Sequence, residues 1–181
     1  SKMLEKLGVH IIDTDVIAHE IVEPNSECLN ELVDYFGDSI LNDDKTLNRK
    51  KLASIAFSDK QKTVALSNIT HKYIKAEVVK DINTTDAELV GIDGAVIIGS
   101  NVEPLCEFIV SVIADKQSRI TRIKTRDNIT DKQAIQRINA QNDDEFYKEN
   151  SMYIIYNNGD IAQLESDVVG LFNKIKGNSF E

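Results

Sequence analysis

At 181 residues, 41% of them hydrophobic and 28% charged, the chain can form one α/β domain, or a core with a modest insertion, and is too apolar to be disordered. No apolar run approaches the ~20 residues of a membrane-spanning helix, and the first residues show no signal-peptide pattern, so a soluble, cytoplasmic protein is expected. A formal net charge of -9 argues against general nucleic-acid binding, which needs a basic surface for the phosphates.

The first predicted element is a strand. In "VHIIDTDVIAHEIVEP" (9–24) an apolar run reaches Asp13 and Asp15. On an extended segment residues two apart share a side, so both carboxylates are expected to project from one sheet edge, an arrangement that repulsion disfavours without a cation. Residues 25–83 read as helices: "CLNELVDYFG", "NRKKLASIAFSD" and "KTVALSNITHKYIKAEVVKDI" have helical periodicity, with turn-rich "GDSILNDDKTL" between the first two. The runs "ELVGID" (88–93), "FIVSVIA" (108–114) and "YIIYN" (153–157) lack polar alternation and predict buried parallel strands. Helical patterns at 131–141 and 160–176 separate or follow them, which implies a parallel α/β layer with a helical insertion after its first visible strand.

One segment is basic. "ADKQSRITRIKTRDNITDK" (114–132) carries Lys116, Arg119, Arg122, Lys124, Arg126 and Lys132. If it is helical, Arg119, Arg122 and Arg126 share a face, and that face is either a solvated surface or a pocket for a small polyanion. Cys28 and Cys106 lack metal-ligand spacing and read as reduced packing residues, and His10, His19 and His71 form no recognisable metal site.

Ligands of open α/β sheets bind beyond the carboxyl ends of the strands. Asp13 and Asp15, Asp93, Asp115 and the Asn157–Asn158 pair all fall there. Each one singly can be a helix cap or a turn residue. Together with the basic segment they describe a cleft whose acids could hold a metal or accept a proton and whose arginines could hold phosphate.

"LGVHIIDTDVIAHEIVEP" resembles the start of the dephospho-coenzyme A kinases, where a strand ends in an Asp-x-Asp pair and runs into a helix ending in Glu-Pro. Further matches keep the family's order: "LNRKKLASIAFSD" (47–59), "ITHKYIKAE" (69–77), "GIDGAVIIGS" (91–100), "RITRIKTRDNIT" (119–130), "QRINAQ" (136–141) and "YIIYNNGD" (153–160), so the likeness covers nearly the whole chain. The resemblance implies an α/β fold with a P-loop NTPase-like parallel sheet core, helices on both faces, a helical substrate-binding insertion and a lid. It divides the chain into a nucleotide-binding core (1–24, 84–114 and 133–181), a coenzyme A-binding helical insertion (25–83) and a lid (115–132).

The activity it implies is ATP-dependent phosphorylation of the ribose 3′-hydroxyl of dephospho-coenzyme A, with Mg2+ as cofactor and ATP and dephospho-coenzyme A as partners. Asp15 is then the base that takes the hydroxyl proton, and Arg122 and Arg126 neutralise phosphate charge during transfer. Asp13 and Thr14 lie on the substrate side near the metal and its waters, and Asp93 is the metal position. Arg137 and Gln141 hold the nucleotide or the lid, Asn157 and Asn158 lie by the adenine, and Arg49 and His71 bind the coenzyme end of the acceptor.

Departures from the family pattern accompany the matches. The family opens with a strand and a GxxxxGK[ST] loop that cradles the ATP phosphates, and no such loop occurs in these residues. "SKMLEKLG" resembles the rest of the helix that follows that loop, so a strand and loop are expected ahead of Ser1 in the natural protein, and the 181 residues alone are expected to bind ATP weakly and transfer phosphate slowly or not at all. Ala95 and Lys72 replace prolines, while Gly99 for Glu and His19 for Arg fall on expected substrate contacts. Two other readings stay open: a related nucleoside or nucleotide kinase, against which the helical insertion counts, and a non-catalytic binding or regulatory relative.

Overall fold

β1 (His10–Asp13) runs parallel to β2 (Val90–Asp93), with His10 opposite Val90 and Asp13 opposite Asp93, so both strands end on an aspartate at the same level. These strands belong to the first of two units in the computed structural model, which describes residues 1–178: Ser1 with Gly8–Leu105 form one, Lys2–Leu7 with the chain from Cys106 onward the other.

The first unit is mostly helical. β1 stops at Asp13 because that carboxylate caps α2 (Thr14–Glu20), accepting from the amides of Asp15 and Val16. The expected extension of the strand through Asp15 therefore does not occur: Asp15 already lies in the helix. α3 (Glu27–Phe36) starts at Ser26, whose hydroxyl oxygen accepts from Leu29 N at 3.2 Å, and ends at Gly37, where a φ of 84° suits a residue without Cβ. A short 3-10 turn (Asp38–Ile40) and the antiparallel bridge Leu41–Leu47 bring the turn-rich link back to Asn48, the cap of α4 (Arg49–Ala56). α5 (Lys60–Thr84), capped by Asp59, is the long element of the unit.

One apolar core joins these helices to the strands. Leu32, Ile40 and Val78 are 0% exposed, Cys28 1% and Ile12 2%, with Leu52, Ile69 and Val102 among their buried partners. Burying a large aliphatic side chain contributes about 1.5–3 kcal/mol. Glu31 adds a polar tie from α3 to α5, its Oε2 accepting from Lys72 Nζ at 2.5 Å and from Tyr73 OH at 2.7 Å. Lys72, which departs from the family's usual proline, therefore has a structural partner here. The hydrogen bond from Lys72, followed by that from Tyr73, holds the Glu31 carboxyl below its ordinary range, and the Lys72 ammonium is correspondingly raised by Glu31. At the other end of α5, Asp81 Oδ1 lies 2.8 Å from His10 Nε2 on β1.

In the second unit β3 (Val110–Ile113) pairs in parallel with β4 (Tyr153–Tyr156), Val110 opposite Tyr153. α6 (Lys116–Asp127) and α7 (Asp131–Asn139) form a helical hairpin around Ile120, Ala134 and Ile138. Thr130 and Gln133 make a reciprocal capping box at the start of α7. α8 (Asp144–Glu149) precedes β4, α9 (Ile161–Asn178) follows it, and α1 (Lys2–Glu5) packs on α9. The strands were expected to be buried on both faces. Instead Ser111 and Ile113 of β3 are buried while Val112 between them is 62% exposed, because successive side chains alternate and the unit covers one face.

Two stability predictions follow from the first unit. Leu32→Ala should cost about 2–5 kcal/mol, as a cavity in a sealed core does, whereas Tyr35→Ala on the exposed side of the same helix should cost far less; urea unfolding of both variants measures this. Because the Glu31 carboxyl is depressed, the stability it contributes is fully present above its ordinary value of 4.5 and is lost as pH falls through the lower folded value. The melting temperatures of wild type and Glu31→Gln should therefore converge as pH is lowered from neutral into that acid range.

Candidate active site

Four of the residues singled out from sequence meet at the carboxyl ends of β1 and β2. Asp13 Oδ1 is engaged at 2.9 Å by Asp15 N and 3.1 Å by Val16 N. Thr14 Oγ1 donates to the Asp93 carbonyl at 2.9 Å. That approach requires a glycine next in the chain, since a Cβ at Gly94 would lie 2.1 Å from Thr14 Oγ1. The Asp93 carboxylate accepts a hydrogen bond from the Ser1 hydroxyl. Asp15 is exposed in the first turn of α2, and no side chain among the described residues engages its carboxylate. The capping role that competed with a catalytic one at Asp15 thus belongs to Asp13, and Asp15 is left facing solvent.

Arg49 and His71 sit on other helices of the same unit. Arg49 is the exposed first residue of α4. His71, half-buried on α5, has Nδ1 3.5 Å from Ser67 Oγ, and its carbonyl accepts from Asn101 Nδ2 at 2.8 Å. No hydrogen bond or ion pair among the described residues joins either to the aspartates. His19 is exposed in the last turn of α2. Gly99 adopts φ 80° and donates its amide to Glu103 Oε2 at 2.6 Å, so a side chain there would be strained.

In the second unit the basic segment is helical, and its arginines diverge to different partners. Asp115 caps α6, its Oδ1 accepting from Ser118 N at 2.9 Å and its Oδ2 from Ser118 Oγ at 2.6 Å. The Ser118 hydroxyl, with its amide, holds the Asp115 carboxyl below the ordinary range. The amide of Asp115 donates to Asn158 Oδ1 at 2.8 Å, and Arg122 Nη2 donates to the carbonyl and the Oδ1 of Asn157 at 3.0 and 3.2 Å. Asn157 and Asn158 are thereby tied to α6. Arg119 pairs with Asp144 at 3.0 Å, and its buried Nε has no hydrogen-bond partner among the described residues. Gln141, exposed just beyond α7, lines an open groove with Lys116, Arg119, Asn142 and Asp143.

Arg126 and Arg137 converge on Asp127, which sequence reasoning had not singled out. Its place between Arg126 and a turn was the available signal, but an acid inside a basic run reads as ordinary surface charge. Lys124 forms an ion pair with Asp131 at the start of α7.

Known proteins resemble this chain in sequence and in fold. A family profile described as dephospho-CoA kinase matches residues 1–163. The dephospho-CoA kinase of Lactobacillus johnsonii is 33% identical over 177 residues, 96% of this chain and 89% of that protein. That of Listeria monocytogenes serovar 1/2a is 33% identical over 181 residues, 98% and 90% of the two chains. Among solved structures, dephospho-CoA kinase from Campylobacter jejuni superposes with a TM-score of 0.68 at 26% identity, covering 98% of this chain and 90% of that one. TT1252 from Thermus thermophilus shares the fold, with a TM-score of 0.82 at 21% identity over 96% and 88% of the chains. The α/β fold of the P-loop kinases expected from sequence is thus the fold found, and the chain belongs to the dephospho-CoA kinase family.

Proposed function

We propose that the full-length polypeptide catalyses transfer of the γ-phosphoryl group of ATP to the ribose 3′-hydroxyl of dephospho-coenzyme A, the last step of coenzyme A biosynthesis, in the cytoplasm. The observation that supports this most directly is Asp15: a carboxylate at the carboxyl end of β1, held by the first turn of α2 and free of side-chain partners among the described residues. Such a group can reach a substrate hydroxyl. As the 3′-oxygen attacks the γ-phosphorus and the bond to ADP breaks, Asp15 takes the hydroxyl proton.

Asp13 fixes the helix start that aims Asp15, and Thr14 holds the strand end of β2 in place. Asp13 and Asp93 offer hard carboxylate oxygens at one level, a donor set that suits Mg2+, which needs only one or two carboxylates when phosphates and waters fill its remaining positions. Bound there, the ion would neutralise charge on the transferring phosphoryl group. Arg122 and Arg126 neutralise phosphate charge during transfer, Arg137 and Gln141 support the nucleotide or the lid, and Asn157 and Asn158 lie by the adenine. The helices of residues 25–83 bind the coenzyme end of the acceptor through Arg49 and His71.

Substitutions in the full-length polypeptide separate these roles. Asp15→Asn keeps shape but cannot take a proton, so kcat should fall roughly 10²–10⁴-fold with the thermal melt unchanged. Asp13→Ala should instead lose about 1 kcal/mol of stability with the cap, while Asp13→Asn should retain it. Steady-state kinetics and melts on the three variants decide the assignment, and an Asp15→Asn protein with wild-type kcat would end the general-base proposal.

A comparable contrast tests the basic helix. Arg122→Ala and Arg126→Ala should each lower kcat/KM by about 10²-fold or more, as removal of charge-stabilising donors does, and Lys132→Ala should change little. Small, equal losses at all three positions would mark the segment as a charged surface.

A further inference from the structure

Arg126 and Arg137 share one carboxylate. Asp127 Oδ1 accepts from Arg126 Nε at 2.7 Å, while its Oδ2 accepts from Arg126 Nη2 at 3.0 Å and from Arg137 Nη1. The carboxylate is 20% exposed against 73% for Arg126 and 55% for Arg137. It is thus the covered centre of the group.

Three features set this apart from an ordinary surface ion pair. Asp127 is the last residue of α6, before Asn128 turns left-handed at φ 51°, and the helix dipole disfavours an acid there. Arg126 and Asp127 are also neighbours in sequence, and adjacent helical side chains do not normally face each other, yet Arg126 folds back to make a two-pronged contact. Finally, a second guanidinium beside the first is repelled unless a negative charge lies between them. One carboxylate with two guanidiniums leaves a single net positive charge. Arg126 Nη1 and the Nε and Nη2 of Arg137 have no partner among the described residues. The hairpin does not need Asp127 as its fastener, because Lys124 and Asp131 already link α6 to α7 around the Ile120, Ala134 and Ile138 core.

We propose that Asp127 is a positioning residue that sets Arg126 and Arg137 as a paired guanidinium fork for the phosphates of the nucleotide. It arrests two long side chains before the ligand arrives, so the entropy of ordering them is not lost on binding. This rests on the kinase function proposed above. The ligand is a polyphosphate, since its spread of equivalent oxygens can engage donors from two guanidiniums at once.

The test uses the full-length enzyme with Asp127→Asn, Asp127→Glu and, as a control for helix pairing, Asp131→Asn. Asp127→Asn should lower kcat about 10- to 10²-fold, the scale of a misplaced catalytic group, with KM for dephospho-coenzyme A nearly unchanged. Asp127→Glu should recover part of the loss, and Asp131→Asn should leave kcat within about 2-fold of wild type, as expected when an exposed pair is removed. Nitrogen-15 NMR of the arginine side chains should show a slowly exchanging Arg126 Nε–H in wild type that exchanges fast in Asp127→Asn. Affinity for inorganic triphosphate should fall in the same variant. Equal exchange rates in the two proteins, or an Asp131→Asn enzyme impaired as much as Asp127→Asn, would overturn the proposal. Should the wild-type protein fail to phosphorylate dephospho-coenzyme A, the kinase reading falls by itself, and exchange together with triphosphate binding still decides whether the fork exists.

Discussion

One oxygen of Asp13 accepts the amide hydrogens of both Asp15 and Val16, and the geometry at the end of the first sheet depends on that bond pair. The first amides of a helix have no partner within it, and a chain leaving a strand for a helix must supply one at once. Asp13 does so from the last position of β1. The register with β2 then places Asp93 opposite it, Thr14 reaches the Asp93 carbonyl, and Gly94 must lack a side chain for that reach to exist. Asp15 owes its open carboxylate to a neighbour that has taken over the capping role.

The second unit uses the same device. β3 ends at Ile113, and two residues later Asp115 caps α6 through Ser118. Here the cap residue is itself held by the chain after β4, because Asn158 Oδ1 takes the Asp115 amide. Arg122, on the helix so anchored, then finds Asn157. Strand ends and helix starts thus carry polar side chains for a backbone reason, and the groups left over become available for chemistry. The arginines are held in the same manner, by carbonyls, amides and carboxylates of their own unit.

Periodicity located every strand to within two residues of its observed ends, and the helices of residues 27–84 were legible because their apolar positions recur at helical spacing. Resemblance supplied the family. What the sequence did not show has identifiable causes. α8, six residues long, is too short to display a period. The exposed Val112 escaped notice because an apolar run does not reveal that one face of a strand stays open. The transfer of the cap from Asp15 to Asp13 turned on two residues of strand length, which no pattern resolves. Asp127 was hidden by its company, since its importance lies in which two arginines reach it rather than in its own identity.

Cys28 lies at 1% exposure on α3, and burial, followed by the Glu31 charge, pushes its thiol up to about 11. The thiolate is the reactive form, so this sulfur is doubly silent at neutral pH, shielded by Leu32 and Ile40 and almost wholly protonated. Alkylating reagents can reach it only when α3 lifts from its neighbours, and the opened state restores both access and an ordinary acidity. The rate of labelling at this one atom is therefore an intrinsic clock for the opening of the first unit. It can be read by the mass of the peptide that carries Cys28 without altering a residue, and it reports on the helices that the kinase reading assigns to the coenzyme, with or without that ligand bound.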